Sequence, residues 1–129
     1  MNIFRTNKGL IDHCVGGLEW GIASYWVGIS IMQSVPLTLI LITIGVLLAL
    51  AVEIYQIVHY DSKGGEKYWN GFLLDCYQDF VGELVCGAIG FGFAWMVKSY
   101  LPASNEILLI SMMASSIWLV YSWFYRWRK

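Results

Sequence analysis

Gly71-Phe72-Leu73-Leu74-Asp75-Cys76-Tyr77-Gln78-Asp79-Phe80-Val81-Gly82-Glu83 runs without interruption into an apolar, glycine-spaced stretch that ends near Val97. Asp75, Asp79 and Glu83 are four residues apart. On a helix they keep one face, drifting about 40° per step, because the side-chain period is near 3.6. The first precedes the apolar run and the last lies inside it. An acidic row entering a membrane segment is expensive, and such residues mark a functional site by default.

Working outward, the whole composition supports a membrane reading. The apolar fraction is 58%, charged residues are 13% and the mean hydropathy is +0.60. A soluble domain carries about a quarter charged residues. A chain of 129 residues has room for one domain. The net charge of −1 points neither to nucleic acid nor to wholesale attraction by anionic lipid. Cys14, Cys76 and Cys86 are odd in number, lack a CxxC spacing and read as small apolar filler. The first thirteen residues mix Arg5 and Lys8 with Asp12 and His13. The segment after them contains Glu19 and several glycines, so it is a poor signal-peptide core and reads as a retained helix. Neither end carries a lipidation motif.

Four apolar segments follow: about 14–34, 37–60, 71–98 and 106–125. Each is long enough for a hydrocarbon core that needs about 20 residues. The first contains Gly17-xxx-Gly21, a spacing that admits a close neighbour. Pro36 marks a tight connection to the second, whose run from Leu37 to Val52 is nearly unbroken Leu, Ile, Val and Ala. That segment turns polar at its end, where Glu53, Gln56 and Tyr60 share a face. Residues 61–67 read as a polar loop with a Gly pair at its turn, and Tyr68-Trp69-Asn70 suits the headgroup level. Ser99 to Asn105 forms a second turn. The fourth segment closes on Trp118, Tyr121, Trp123, Tyr125 and Trp127 among Arg126, Arg128 and Lys129, an interfacial anchor pattern.

With four crossings, Arg5, Lys8, Lys63, Lys67, Arg126, Arg128 and Lys129 lie on one side, leaving Lys98 on the other. The positive-inside bias then places both termini in the cytoplasm. The expected fold is an all-α integral membrane four-helix bundle, N-in and C-in, in a cell (inner) membrane.

Topology also gathers the acids. Glu19, Glu53 and the Asp79–Glu83 pair fall at the cytosolic ends of three helices, with Gln56 and His59 beside Glu53. The expected metal ligands are Glu53, Asp75, Asp79 and Glu83, and the expected pocket wall is Glu19, Gln56 and His59. Three readings stay open. The carboxylates are hydrated or bonded to neighbouring hydroxyl and indole groups. Alternatively, they bind Mg²⁺ or another divalent cation through oxygen, with or without a phosphate-bearing lipid. Or Glu83, Glu53 and Glu19 relay protons or cations. His59 alone reads as a helix-end cap. The Met112-Met113 pair and the aromatic stripe read as packing. No nucleotide-binding or hydrolase fingerprint is present.

The pattern Glu53-xx-Gln56, Asp75-xxx-Asp79-xx-Gly82 and Gly87-xx-Gly90 resembles the VanZ-like membrane proteins. The resemblance implies a small helical bundle; Glu83 and the absence of a loop arginine depart from it. Gly71-xxx-Asp75-xxx-Asp79 looks like the closing half of the CDP-alcohol phosphotransferase signature, in which aspartates hold metal ions. The opening half is missing. The expected partners are membrane lipids, a second copy of the chain or another membrane protein. A different class of reading is a non-catalytic oligomeric membrane protein, such as a holin-like pore former, a virion membrane component or an accessory subunit.

Overall fold

A computed structural model describes the backbone of residues 9–59 and 65–127, and the side chains of these except 65–70 and 126–127. It contains four helices and, among the described residues, no strand. Helix α1 spans Leu10–Ala23 and continues as a π-helical segment over Ser24–Ile31. Helix α2 spans Val35–Val58, α3 Gly65–Tyr100 and α4 Ser104–Ser122, the last extended by a π-helical turn at Trp123–Trp127.

The connection expected at Pro36 is built from local chemistry. Met32 N–H donates to the Val27 carbonyl at 2.9 Å, closing the π segment. Gln33 then takes a left-handed φ of 50° and reverses the chain. Ser34 caps α2 by accepting from Leu37 N–H at 3.1 Å, and Pro36 sits in the first turn, where its missing donor costs nothing. The polar stretch 61–67 differs from expectation. Residues 61–64 lie outside the described residues, but Gly65, Glu66 and Lys67 already belong to α3. At 36 residues, that helix is about 54 Å long, well beyond a hydrocarbon core of about 30 Å.

Side-chain pairings give the directions. His13 and Gly17 of α1 meet Glu83 of α3, and Gly21 meets Gly87, so these two helices run parallel. Trp20 meets Leu41 and Gly28 meets Thr38, so α2 runs antiparallel to α1. Asp12 meets Ser122 and Glu19 meets Ser116, so α4 is antiparallel too. The start of α1, the end of α2 and the end of α4 therefore gather at one end of an up-down-up-down bundle. Helix α1 touches all three others.

Glycine sets the α1–α3 distance. A Cβ at Gly17 would overlap the Glu83 carbonyl, one at Gly21 the Gly87 carbonyl, and one at Gly90 the Leu18 carbonyl. Backbone rests on backbone along two turns, the geometry that small residues permit in a membrane helix pair. Further from the gathered ends, Ile22, Tyr25, Ala94, Val97 and Leu108 form a buried apolar cluster. Tyr25 packs edge-on to Phe91 there, with ring centroids 5.1 Å apart.

The rest of the surface is inverted relative to a water-soluble bundle. Leu39, Ile40, Leu47, Leu48, Ile54 and Val58 of α2 all face outward, while Ser24, Thr38, Glu53, Asp79, Ser115 and Ser122 are buried. Hydroxyls satisfy themselves within their own helices: Ser24, Thr38, Thr43, Ser111 and Ser115 each donate to the carbonyl four residues back. Three helical stretches are long and apolar enough to cross a membrane: Val35–Val58, Gly71–Tyr100 and Ser104–Tyr125. The first expected crossing is not among them; its 14-residue α-helix carries two acids and passes into the π segment.

Gly21→Ala should lower unfolding stability by about 1–3 kcal/mol, the usual cost of overpacking. Gly92→Ala, where an added Cβ meets nothing within 4 Å, should be neutral or gain up to about 1 kcal/mol from helix propensity. Thermal melts of both variants in one detergent check this.

Candidate metal centre

The α1–α3 register carries the site. Read outward from the glycine contact, α1 presents Gly21, Gly17 and His13, and α3 presents Gly87, Glu83 and Asp79. Both series step by four, so the two stripes stay opposed for three successive turns. His13 thereby comes between the α3 acids. Its Nδ1 lies 3.1 Å from Glu83 Oε2, and its Nε2 lies 3.5 Å from Asp79 Oδ2. From the antiparallel α2, Glu53 Oε1 stands 3.8 Å from the same Nε2.

The two imidazole nitrogens have different tasks. An ionised carboxylate only accepts, so Nδ1 donates to Glu83. Nε2 then faces two carboxylate oxygens. A bare lone pair there would be repelled, so the geometry calls for a proton on Nε2 or a cation among the three groups. His13, Glu53 and Asp79 each offer a ligand atom, and these lie within 4.8 Å of one another. Ligands about 2.1 Å from a tetrahedral ion stand about 3.4 Å apart, close to the 3.5 and 3.8 Å separations from Nε2. Glu83, on the far nitrogen, holds the position of the outer carboxylate that fixes the tautomer of a metal-bound histidine.

Glu53 gives the centre its energetic tension. Only 4% of the residue is exposed, and neither carboxylate oxygen accepts a hydrogen bond from a described residue. The neighbouring Cys76 thiol donates to Gln56 Oε1 at 3.8 Å and also lies within reach of the Glu53 carboxylate. Asp79 is 6% exposed. Among the described residues, the one lysine or arginine with a described side chain is Lys98, which donates to Asn105 beside the opposite turn. A buried carboxylate without a donor costs several kcal/mol, and Glu53 is in that position among the described residues.

The other expected site residues separate. Glu19 does not join the pocket wall. It lies two residues, or about 200°, from Gly17 and so faces away from α3; Ser116 of α4 donates to it at 2.6 Å. A relay through Glu83, Glu53 and Glu19 loses its third member for that reason. His59 is exposed at the end of α2, stacked on Tyr55 with ring centroids 4.1 Å apart and Nδ1 2.9 Å from the Tyr55 carbonyl. Gln56 borders the centre through Cys76 without reaching His13. Tyr60, expected on the same face, is outside the described residues. Asp75 is not in the group that converges on His13; it lies one turn before Asp79 on the same helix.

His13 itself was missed as a ligand, because it reads as part of a mixed polar N-terminus. The available signal was its position four residues before Gly17-xxx-Gly21, which puts it on the packing stripe. Asp12 is a second residue with an unforeseen tertiary role: Ser122 Oγ and Trp118 Nε1 of α4 donate to it at 2.7 and 3.2 Å.

Compared with known proteins, the chain matches no family model, no curated protein and no solved structure.

In the presence of a chelator, His13→Ala should cost about 3 kcal/mol, because it strands acidic partners in a buried site. Glu53→Gln should leave stability unchanged or higher, since it removes a buried charge and keeps the shape. Chemical or thermal denaturation of the two variants side by side checks the opposite signs.

Proposed function

We propose that this chain is a four-crossing integral membrane protein, with both termini cytoplasmic, that binds a divalent cation through His13, Glu53 and Asp79. Glu83 is the orienting partner of His13. The observation that carries the reading is the Glu53 carboxylate, buried, with no geometric hydrogen bond from a described residue, and 3.8 Å from Nε2 of His13. A cation at that point neutralises the Glu53 carboxylate and occupies the space opposite Nε2.

The donor set selects among ions. Mg²⁺ prefers oxygen ligands and keeps several waters. One imidazole with two carboxylates suits Mn²⁺, Fe²⁺, Co²⁺ or Zn²⁺ better. Three protein ligands also leave a coordination position open, the arrangement of sites that act on a bound molecule rather than merely brace a fold.

The crossing count rests on direction. The first segment, α1 with its π extension, runs parallel to α3 and is packed against it, so it follows the path of a helix long enough to cross. The sequence count of seven basic residues on one side of a four-crossing topology, against Lys98 on the other, favours a cytoplasmic site in a cell (inner) membrane. The resemblance to VanZ-like proteins is carried forward on the same terms. Its Glu, Gln and paired Asp positions correspond here to Glu53, Gln56, Asp75 and Asp79.

Saturating Mn²⁺ or Zn²⁺ should raise apparent stability, by about 2.7 kcal/mol at a hundredfold excess over the dissociation constant. Mg²⁺ should do so less at the same concentration. Asp79→Asn and Glu53→Gln should each abolish the shift, and Asp75→Asn should retain it. Thermal melts with each ion and direct metal analysis of the purified protein provide the test; an equal Mn²⁺ response in all three variants would sink the assignment.

A further inference from the structure

A cavity of about 470 Å³ lies between α1, α2 and α3. On α3 its lining begins at Glu83 and ends at Phe91, eight residues of helix or about 12 Å apart. Its size and mostly apolar walls are those of a small-molecule site. Leu48 of α2 and Leu84 of α3 belong to the lining and are exposed on the outside of the bundle, so the space is reached from the side, past an apolar rim.

The polar inventory of the lining decides what fits. Three of its side chains carry a polar atom: Trp20, Ser24 and Glu83. The Trp20 indole N–H donates to the Leu41 carbonyl at 2.8 Å, and the Ser24 hydroxyl donates to the Trp20 carbonyl at 2.7 Å. Both side-chain donors are spent inside the protein. Glu83 is the one ionisable residue of the lining, and an ionised carboxylate only accepts, with room for about four hydrogen bonds. His13 Nδ1 uses one of these, at Oε2, and among the described residues no hydrogen bond reaches Oε1. The Glu83 side chain keeps 26% of its surface accessible. The cavity therefore offers a negative acceptor at one end, apolar wall along the rest and no free side-chain donor.

We propose that this cavity is a binding site for a hydrophobic amine, a protonated nitrogen on an apolar body, whose ammonium group donates to Glu83 while the body runs toward Phe91. An anion finds no side-chain donor here and is repelled by Glu83. A neutral apolar molecule fills the space but leaves the carboxylate facing hydrocarbon, which is unfavourable. The ammonium satisfies both ends, and its charge-assisted bond is of the strong kind. The site stands without the proposed ion: none of His13, Glu53 and Asp79 lines the cavity, and Glu83 meets Nδ1, the ring nitrogen opposite the one those two acids approach.

The test is equilibrium dialysis of the full chain in a non-ionic detergent with EDTA, against empty micelles of the same detergent. The probes are phenylbutylamine, phenylbutanol and phenylbutyrate, which share one apolar body and differ in the charge of the head. At neutral pH the amine is protonated, as a lysine is. The amine should bind about tenfold or more tightly than the alcohol, the worth of one charge-assisted hydrogen bond, and the carboxylate most weakly. Glu83→Gln should bring amine and alcohol to equal affinity. Glu19→Gln, which neutralises an acid outside the lining, should keep the preference. Ala88→Trp, which adds an indole at an exposed position of the lining, should lower amine binding about tenfold or more, the same order of effect. Ile89→Trp, exposed and outside the lining, should bind as the wild type does. Equal wild-type affinity for amine and alcohol, a preference that survives Glu83→Gln, or equal binding by the two Trp variants overturns the proposal. The Trp pair keeps it falsifiable should Glu83→Gln fail to fold.

Discussion

Everything in this bundle follows from one contact, the backbone-to-backbone approach of α1 and α3. In lipid there is no hydrophobic gain from bringing two apolar helices together, so association relies on close packing and on polar groups that find each other. Gly17, Gly21, Gly87 and Gly90 provide the first. They remove the side chains that would hold the axes apart, and the carbonyls of Glu83, Gly87 and Leu18 move into the space. The same fit fixes the register, because a shift of one residue would drive a side chain into a carbonyl.

A fixed register is what makes a polar centre possible. His13 and the Asp79–Glu83 pair lie one turn beyond the glycine contact on the same two stripes, so their separation is inherited from the packing and needs no flexible loop. Helix α2 adds Glu53 from the antiparallel direction. The centre thus draws on three helices whose relative positions are set elsewhere, which is how a first shell is kept at ligand distance. Its electrostatics turn on Glu53, which is buried and accepts no hydrogen bond by geometry from the described residues. A bundle that tolerates this while pairing Asp12 and Glu19 with hydroxyls of α4 treats its acids in two distinct ways. Those on the α4 side are satisfied by neutral donors. Those on the α3 side, Asp79 and Glu83, face the imidazole of His13.

The centre and the cavity share Glu83. One of its oxygens meets His13, and its helix turn closes one end of a largely apolar cavity. The polar cluster and the cavity are consequently adjacent by construction: the glycines that let α1 approach α3 also leave the cavity floor bare. The π-helical continuation of α1 shifts the chain direction before Gln33 and brings Gly28 against Thr38, which holds α2 to α1 at the far end. Between that point and Glu53, α2 stands off from α3, and the cavity occupies the gap.

Much of this was legible in the residues. The unbroken run from Leu37 to Val52, the length of the segment after Gly71 and the aromatic close of the fourth segment identify helices suited to a membrane, because hydropathy and span length are local properties. Asp79, Glu83 and Glu53 stand out for the same reason: an acid in an apolar run is conspicuous without any fold. What the string of residues could not settle was rotation and register. Glu19, Gln56 and His59 occupy plausible depths, but depth is one coordinate of a cylinder. The angle about each helix axis sends Glu19 to Ser116, Gln56 to Cys76 and His59 outward. His13, inconspicuous in a mixed polar leader, becomes central because four residues later a glycine lets α3 close in. Composition determined which segments are apolar and where acids interrupt them; only the packed helices decided which acids meet, since that depends on the few ångströms of side chain that glycine leaves out.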